Sequence, residues 1–282
     1  MLEHLKEACG VFGTLDFEHR PVFPHVYWGL RAQNHRGHQS HGFLTFDGRF
    51  HFYKGLDLVP KVRREAIQKW VRRLPGHVGI GHVRYTTSGG TDEQSLVKST
   101  APILERGGKT KIATSFNGNI VNGPNIMREI KERFPSFQYN FDAQLISRKL
   151  LMKLREEDDL ASSVRSCMKE LEGAFSVAGI TQKGELFAFK DPYGIRPLCC
   201  GYSEDRKIWA VSSETVGLDI NGFEFDFEIE PGELVIASED GFVREQLVKR
   251  EKRALCAFEF AYFARPDSRL GDKFVYEVRE EF

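Results

Sequence analysis

Two adjacent helical segments lie in the middle of a chain whose flanking segments have the patterns of β-strands. Residues 142–157, DAQLISRKLLMKLREE, and 160–173, LASSVRSCMKELEG, carry apolar residues at helical spacing, and Gly173 marks the end of the second segment. Short apolar runs separated by glycine turns come before and after them. Since helices and strands do not alternate, the order argues against repeated βαβ units and predicts two sheets faced by helices, an α+β arrangement.

The strands after the helices are predicted from four apolar runs. The last run, GELVIASEDGFV, indicates a hairpin because Asp240 and Gly241 form a turn between two apolar stretches. Its VIASED portion also resembles a phosphoribosyl-binding loop, in which a strand leads into paired acidic residues. The hairpin is preferred because Gly241 leads into another apolar run and no helix begins there. The runs are AFSVAGIT, GELFAFKD, KIWAVSSE and GELVIASEDGFV.

The charge and composition of the chain argue against some classes of binding partner. The 282 residues include 40 Lys plus Arg and 40 Asp plus Glu, so the overall charge does not favour nucleic acid or an anionic membrane. The amphipathic helix predicted over 61–74 has a basic face, which is interpreted as solvated. No apolar run approaches the roughly 20 residues of a membrane span, and the N-terminus lacks the apolar core of a signal peptide. A cytoplasmic protein without nucleic-acid or membrane partners is expected.

The histidines and cysteines do not have the spacing of a metal site. His35, His38 and His41 lie close together, but no acidic or cysteine residue shares their spacing, and Gly37 and Gly42 indicate a loop. No metal and no other cofactor is therefore expected. The cysteines are odd in number and scattered, which predicts reduced thiols, at Cys9, Cys167, Cys199, Cys200 and Cys256.

Cys9 stands directly before a short apolar β run, in the stretch KEACGVFG. One interpretation is that Cys9 is a small apolar residue of a buried strand. The other is that residues 1–8 are a removable leader. Cys9 would then become the N-terminal residue and carry both a nucleophilic thiol and an α-amine that could serve as its base.

Four further segments contain residue types suited to one reaction. Arg84 is predicted at the end of a strand, where a guanidinium can clamp a carboxylate with two hydrogen bonds. Asn117 and Gly118 are predicted in a turn, where an amide group and a backbone N–H can stabilise an oxyanion. Asp142 opens a helix and could hold an ammonium group, while HRG supplies a loop. Each signal alone is weak, and the combination carries the interpretation.

That combination resembles the class II glutamine amidotransferases, and most closely the glutaminase domain of the amidophosphoribosyltransferases. The resemblance covers nearly the whole chain and implies an N-terminal-nucleophile (Ntn) hydrolase fold, a four-layer αββα sandwich with two antiparallel sheets. GIRPL and FARPDS are specific to the amidophosphoribosyltransferase branch, whereas NGN with an early CG is shared by the class. The matching motifs are CGVFG, HRG, GIGHVRYTTSG, NGNIVN, DPYGIRPL, VSSE and CAFEFAYFARPDS.

The resemblance assigns the catalytic groups. Cys9 matches the nucleophile, exposed by cleavage after Ala8, and its α-amine would act as general base and then acid. Asn117 and Gly118 match the oxyanion hole. The resemblance thus favours the second interpretation of Cys9.

The resemblance also assigns the substrate-binding residues. Arg84 matches the clamp on the α-carboxylate of glutamine, with Thr87 beside it. Asp142 matches the carboxylate that holds the α-ammonium group. Arg36 and Gly37 match the loop that borders the nucleophile.

Some positions depart from the family pattern. Phe116 stands where the family usually has histidine before NGN, and Gln144 replaces an acidic residue after the ligand-binding aspartate. The sequence HQSHG after Arg36 is also unusual, which affects the expected geometry of that loop. Cys256 aligns with a cysteine that binds an iron–sulfur cluster in some members, but no cluster is expected because the other ligands would lie beyond this chain.

The implied organisation is a leader over 1–8, a glutamine amidotransferase domain over 9–250 and a tail over 251–282. The tail resembles the junction to a phosphoribosyltransferase domain, and no phosphate-cradling loop is present. The expected partner is a separate phosphoribosyltransferase subunit, or a second copy of the chain. Alternatively, the aromatic tail completes the core of this domain.

The expected activity is hydrolysis of L-glutamine to glutamate and ammonia through a thioester on Cys9, with the ammonia passing to a phosphoribosyl acceptor of purine synthesis. By itself the chain is expected to make no phosphoribosylamine. One alternative is a non-catalytic regulatory homologue that binds glutamine, which an uncleaved leader would favour. Another is an Ntn amidase for a different amide, although Arg84 and Asp142 together argue for an α-amino acid.

Overall fold

The first sheet of the protein has seven strands, and every neighbouring pair is antiparallel. The computed structural model describes residues 9–85, 93–138, 141–250 and 252–281. The strand nearest the N-terminus lies in the middle of this sheet, so the segment that follows Cys9 is held on both sides. From edge to edge the strands are β11 (Glu224–Glu228), β9 (Cys199–Tyr202), β10 (Ile208–Ser212), β1 (Gly10–Asp16), β4 (Val78–Arg84), β2 (Ser40–Phe46) and β3 (Phe50–Leu56).

The second sheet has six antiparallel strands. Its last two strands in the chain form the predicted hairpin, in which Ser238 pairs with Gly241. The hairpin interpretation of GELVIASEDGFV is therefore confirmed over that of a phosphoribosyl-binding loop. From edge to edge the strands are β13 (Gly241–Gln246), β12 (Glu233–Ser238), β8 (Leu186–Lys190), β7 (Gly173–Thr181), β6 (Thr110–Ile120) and β5 (Ile103–Gly107).

The two sheets pack face to face around a shared apolar layer. Strand β1 shows how the sequence produces this packing, because successive side chains of a strand point to opposite faces. Val11 and Leu15 lie in the layer between the sheets, whereas Phe12 faces the helices on the outside. From the second sheet, Ala178 and Ile180 of β7 enter the same inner layer. The interior of the sandwich is thus built from alternating apolar residues of both sheets.

Helices cover both outer faces. The two helices predicted from the middle of the chain pack on the second sheet, and the amphipathic helix predicted over 61–74 packs on the first. The arrangement confirms the predicted αββα sandwich with two antiparallel sheets. The first sheet carries α1 (Phe23–Ala32), α2 (Arg64–Arg73) and the short α7 (Val216–Asp219). The second carries α4 (Gly123–Arg133), α5 (Asp142–Glu157) and α6 (Leu160–Glu170), while α3 (Glu93–Lys98) precedes β5.

Two local predictions were wrong. Asn117 and Gly118 were predicted in a turn, but both lie within β6, because β7 continues to pair with it as far as Gly173. Gly42 was predicted in a loop, but it lies within β2 and pairs with strands on both sides. In each case long-range pairing overrides the local preference of glycine for turns.

The C-terminal segment, residues 252–281, forms a small unit beside the first sheet. It contains a π-helical turn (Glu259–Phe263), the two short strands β14 (Arg269–Leu270) and β15 (Lys273–Phe274), and the helix α8 (Val275–Glu280). Its buried apolar residues form a small cluster of their own. Within the described part of the chain, no helix has the length and apolar character needed to cross a membrane.

Candidate active site

A pocket opens where β1, β4 and β6 meet the beginning of α5. Its volume, including the open mouth, is about 370 Å³. The pocket brings together four of the residues predicted to form the site from separate parts of the sequence, namely Cys9, Arg84, Gly118 and Asp142. The complete lining is Cys9, His82, Arg84, Tyr85, Ser99, Phe116, Gly118, Phe141, Asp142 and Ala143.

The thiol of Cys9 is partly buried and donates to the backbone carbonyl of Tyr85, with Sγ and the oxygen 3.9 Å apart. Burial raises the pKa of this thiol by more than its bond to Tyr85 and the charges of Arg84, Arg196 and Arg36 lower it. Burial therefore favours the protonated form of this thiol. Nucleophilic attack by this sulfur requires a base that removes the proton.

Asn117 lies beside Cys9, and the two polar atoms of its side chain have different surroundings. Oδ1 accepts a hydrogen bond from the backbone nitrogen of Cys9 at 3.4 Å. Nδ2 is buried and has no hydrogen-bond partner among the described residues. A buried amide group without a partner is costly, and such groups in native proteins often mark a ligand site.

The outer edge of β6 supplies backbone groups to the pocket. Strand β5 pairs with β6 only up to Thr114, so the edge beyond it is not covered by a strand. Phe175, opposite Gly118, directs both its N–H and its carbonyl to Asp191. Gly118 and Phe175 are therefore a non-hydrogen-bonded pair, and the N–H of Gly118 points away from β7.

The neighbours of Gly118 on this edge confirm the direction. Two residues before it, the carbonyl of Phe116 accepts from Nε2 of His82 at 2.9 Å. Two residues after it, the N–H of Ile120 donates to Oδ2 of Asp142 at 2.8 Å. The N–H of Gly118 lies between these two contacts and points to the same side as the pocket.

Only glycine fits at position 118. Its φ of 152° lies in a backbone region that residues with a side chain rarely adopt. An added Cβ would also lie 2.0 Å from the carbonyl oxygen of Ala174. The close approach of β6 to β7 thus fixes the position of the Gly118 N–H. The requirement for Gly at the second position of NGN is therefore structural.

Arg84 and Asp142 provide opposite charges to the same pocket. Arg84 ends β4, and its guanidinium donates to the carbonyl of Ser99 and lies over the ring of Phe141, 4.8 Å from the centroid. Asp142 is the first residue of α5, where a carboxylate is favoured by the helix dipole. A ligand with one carboxylate and one ammonium group would meet both charges. Thr87, predicted beside Arg84, lies outside the described residues.

Arg36 and Gly37 belong to the loop that was predicted to border Cys9 and to bind substrate. Arg36 is fully buried, and its Nε donates to the carbonyl oxygen of Cys9 at 2.9 Å. An added Cβ on Gly37 would lie 2.5 Å from the backbone nitrogen of Arg84, so the loop passes immediately behind the end of β4. Neither residue lines the pocket. Arg36 thus contacts the backbone of Cys9, and Gly37 packs against the end of β4.

Several residues around the pocket were not predicted from the sequence. His82 is buried, and burial together with the charge of Arg84 lowers its pKa to about 3, so it is neutral at pH 7. Glu214 and Glu259 hold the guanidinium of Arg36. For the two acids, the available sequence signal was their position within the motifs VSSE and CAFEF.

Apart from Cys9 and His82, none of the histidines and cysteines in the described part of the chain lines the pocket. His35 bonds to Glu214, His38 packs edge-on against Tyr85, and His41 bonds to the carbonyl of Asp57. Within the described ranges, one group of three side chains has donors spaced for a metal ion, within 4.8 Å of one another, and it lies at the opposite end of β1. This group is His19, His77 and Glu239. Cys199 and Cys200 are buried in β9, where burial raises the pKa of both thiols.

Comparison with known proteins places this site in a family. Residues 92–219 match the model of the glutamine amidotransferase domain. The chain is 33% identical to amidophosphoribosyltransferase of Methanocaldococcus jannaschii, over 96% of this chain and 59% of the relative. It is 30% identical to that of Bacillus subtilis, over 99% of this chain and 56% of the relative.

A solved structure gives the same result. Glutamine phosphoribosylpyrophosphate amidotransferase from B. subtilis superposes with a TM-score of 0.83 at 29% identity, over 96% of this chain and 56% of that one. The chain thus spans somewhat more than half the length of these relatives. Fold, motifs and comparisons together identify the chain as a class II glutamine amidotransferase domain, similar to the corresponding part of the amidophosphoribosyltransferases.

Proposed function

We propose that this chain hydrolyses L-glutamine to glutamate and ammonia, with Cys9 as the nucleophile after removal of Met1–Ala8. The observation that carries the proposal is the convergence of Cys9, Arg84 and Asp142 on one pocket. A thiol beside a cation and an anion matches a substrate whose reactive amide is attached to an α-amino acid. The two charges would hold the α-carboxylate and the α-ammonium group, which orients the side-chain amide.

The first half of the reaction forms a thioester. The α-amine of Cys9, with an unperturbed pKa of about 7.7–8.0, removes the thiol proton, and sulfur adds to the side-chain carbonyl carbon of glutamine. The negative charge that develops on the carbonyl oxygen is stabilised by Nδ2 of Asn117 and the N–H of Gly118. The ammonium group then gives its proton to the amide nitrogen, the C–N bond breaks, and ammonia leaves.

The second half of the reaction releases glutamate. Water adds to the thioester carbon while the α-amine of Cys9 accepts its proton, and the same two donors stabilise the oxyanion. The C–S bond then breaks, the thiolate regains a proton, and glutamate dissociates. The base is an amine in this scheme, so a Cys9 whose nitrogen remains in a peptide bond would not turn over.

A glutaminase assay tests the proposal. The purified chain is expected to release glutamate from glutamine, while Cys9→Ala has no detectable activity. Cys256→Ala is the matched control, because Cys256 is also partly buried but does not line the pocket, and it is expected to retain activity. Preference for asparagine, or for an amide without an α-amino acid, would point to a different amidase.

We propose further that the ammonia passes to a phosphoribosyltransferase-type partner that covers the C-terminal segment. This segment exposes aromatic side chains, with Tyr262 the most exposed at 75%. Exposed aromatic clusters of this kind favour protein contacts. The other large apolar side chains exposed there are Leu255, Phe258, Phe274 and Tyr276.

Glutamine and phosphoribosyl pyrophosphate supplied together test this second proposal. The chain alone is expected to release glutamate at the same rate with or without the phosphoribosyl substrate, and to leave that substrate intact. Addition of a phosphoribosyltransferase domain from a relative is expected to consume it. Consumption by this chain alone would overturn the proposed division of labour.

A further inference from the structure

Arg36 connects the nucleophile to two buried carboxylates. Its Nε donates to the carbonyl oxygen of Cys9 at 2.9 Å, and its Nη1 donates to Oε1 of Glu214 at 2.5 Å. Both terminal nitrogens donate to Glu259, each at 2.9 Å, in a two-pronged arrangement. All three donor groups of the guanidinium are therefore committed. The planar fork leaves Arg36 with a single well-defined orientation.

Glu259 belongs to the C-terminal segment, far from Cys9 in sequence. It is the first residue of the π-helical turn and is almost fully buried. The same segment also reaches Glu214, which accepts from the backbone N–H of Arg265 at 3.0 Å and from Oγ of Ser268 at 2.6 Å. The segment thus supplies one of the two carboxylates that orient Arg36 and is bonded to the other, although none of its described residues lines the pocket.

Opposite charges face each other in this network. Arg196 lies 3.7 Å from Glu259, so two buried arginines, Arg36 and Arg196, face two buried carboxylates. Removal of one partner from a buried ion pair is strongly unfavourable because the other charge is left without compensation. Loss of the Glu259 charge would leave an excess positive charge directly behind Cys9.

We propose that Glu259 is a positioning residue for the nucleophile, acting through Arg36 to fix the backbone carbonyl of Cys9. The inference rests on the proposed function of Cys9. The backbone nitrogen of Cys9 is held by Asn117 and its carbonyl by Arg36, so the residue is restrained on both sides. Once the leader has gone, no preceding residue holds Cys9, and the restraint from Glu259 keeps the sulfur aligned with its substrate.

The charge of Glu259 also affects the thiol. The groups that face Cys9 are the carbonyl of Tyr85, the side chain of Asn117, and the guanidinium groups of Arg36, Arg84 and Arg196. The carboxylate of Asp142 and the neutral imidazole of His82 line the same pocket. The three arginines favour the thiolate, and Glu259 offsets the charge of two of them. Neutralising Glu259 should therefore lower the pH at which the thiolate forms, whereas simple loosening of the structure would not.

Two variants separate charge from placement. Glu259→Gln keeps the size of the side chain and removes the charge, while Glu259→Asp keeps the charge but shortens the reach to Arg36. Both are expected to lower kcat, on the order of ten- to a hundredfold, with a smaller change in KM. Only Glu259→Gln should shift the pH midpoint of Cys9 alkylation downward, by on the order of half a unit.

The experiment compares these variants with Asp267→Asn, a matched control whose carboxylate lies in the same segment but pairs with the exposed Arg265. Alkylation of Cys9 by iodoacetamide is followed by mass spectrometry from pH 5 to pH 10, beside melting temperature and glutaminase kinetics. The control is expected to match the wild type. If Glu259→Gln does not fold, Glu259→Asp is used for the test. Its kcat is expected to fall while the pH midpoint of Cys9 alkylation stays unchanged.

Two results would overturn the inference. One is a Glu259→Gln protein with wild-type kcat and pH midpoint. The other is a fall in reactivity at every pH that parallels a fall in melting temperature, without a shift of the midpoint. Iodoacetamide reports on the Cys9 thiolate directly and does not depend on glutaminase activity. A wild-type protein that is alkylated at Cys9 but does not hydrolyse glutamine would therefore contradict the proposed function, while the effect of Glu259 on the pH midpoint could still be measured.

Discussion

The side-chain oxygen of Asn117 accepts a hydrogen bond from the backbone nitrogen of Cys9 at 3.4 Å. The same amide therefore holds the backbone of Cys9 through Oδ1, while its buried Nδ2 has no partner among the described residues. Asn117 lies inside β6 rather than in a turn. Its position is fixed because β6 pairs with β7 both before and after this residue. A rigid strand positions a donor more precisely than a loop, which suits the stabilisation of a transient oxyanion.

Replacement of Asn117 by Ala should lower turnover far more than it weakens glutamine binding. The lost donor acts on the oxyanion, and the loss of one such donor costs on the order of a hundredfold or more in kcat. Asn119→Ala is the matched control, since Asn119 is two residues further along the same strand and exposed. Steady-state kinetics measure both parameters. A rise in KM with kcat unchanged in Asn117→Ala would contradict the assigned role.

Arg84→Lys should weaken binding of glutamine because an ammonium group cannot reproduce the planar fork of a guanidinium. KM is expected to rise at least tenfold, the equivalent of about 1.4 kcal/mol. Arg106→Lys, an exposed arginine at the end of β5, should leave KM unchanged. The wild-type KM in Arg84→Lys would show that this residue does not contact the α-carboxylate.

Asp142→Asn tests the other charge of the pocket. The amide oxygen of asparagine can still accept from the N–H of Ile120, so the contact between β6 and α5 is kept. The negative charge is lost, and affinity for glutamine should fall about tenfold or more. An analogue of glutamine without the α-ammonium group should bind the wild type and the variant alike. Equal loss of that analogue would indicate a folding defect instead.

The sequence predicts the fold more completely than the site. Alternating apolar residues in β1 and the helical spacing of α5 and α6 depend on local periodicity, and these elements are where the sequence places them. Helix α1 escaped prediction because its aromatic and β-branched residues, with Pro24 near the start, do not favour a helix locally. Its packing against the first sheet determines its conformation.

Some residues of the candidate site can be predicted from the sequence, whereas others depend on the fold. Motifs point to Cys9, Arg84 and Asp142 because each residue carries its own chemistry, and all three line one pocket. The interactions of Arg36 could not be predicted, since Glu214 and Glu259 are distant in sequence and their carboxylates are selected by burial and charge balance. Residue type indicates chemistry, but only the fold shows which charges are already paired.

The free energy of unfolding should fall at acidic pH because of Glu214. Burial alone would raise its pKa, but Arg36, followed by His35 and Ser268, outweighs burial and lowers the pKa to about 2 from 4.5. A carboxyl group whose pKa is lower in the folded state stabilises the protein above pH 4.5, and this contribution disappears as the pH falls towards 2. The contribution is on the order of 3 kcal/mol.

Urea unfolding at several pH values between 7 and 2.5 measures this dependence. The free energy of unfolding of Glu214→Gln should be lower than that of the wild type at pH 7, and the difference should shrink as the pH falls below 4.5. Glu239→Gln, at an exposed position, should follow the wild type throughout. A constant difference between Glu214→Gln and the wild type at all pH values would contradict the assigned pKa.

The most direct test of Cys9 as an N-terminal nucleophile is the intact mass of the purified protein before and after treatment with an electrophilic glutamine analogue. The untreated chain is predicted to lack Met1–Ala8, and the treated chain to gain one equivalent of the analogue, located at Cys9 by peptide mapping. Excess glutamine should slow the labelling. A chain that keeps Met1–Ala8 and takes up the analogue at Cys256, or not at all, would contradict the account.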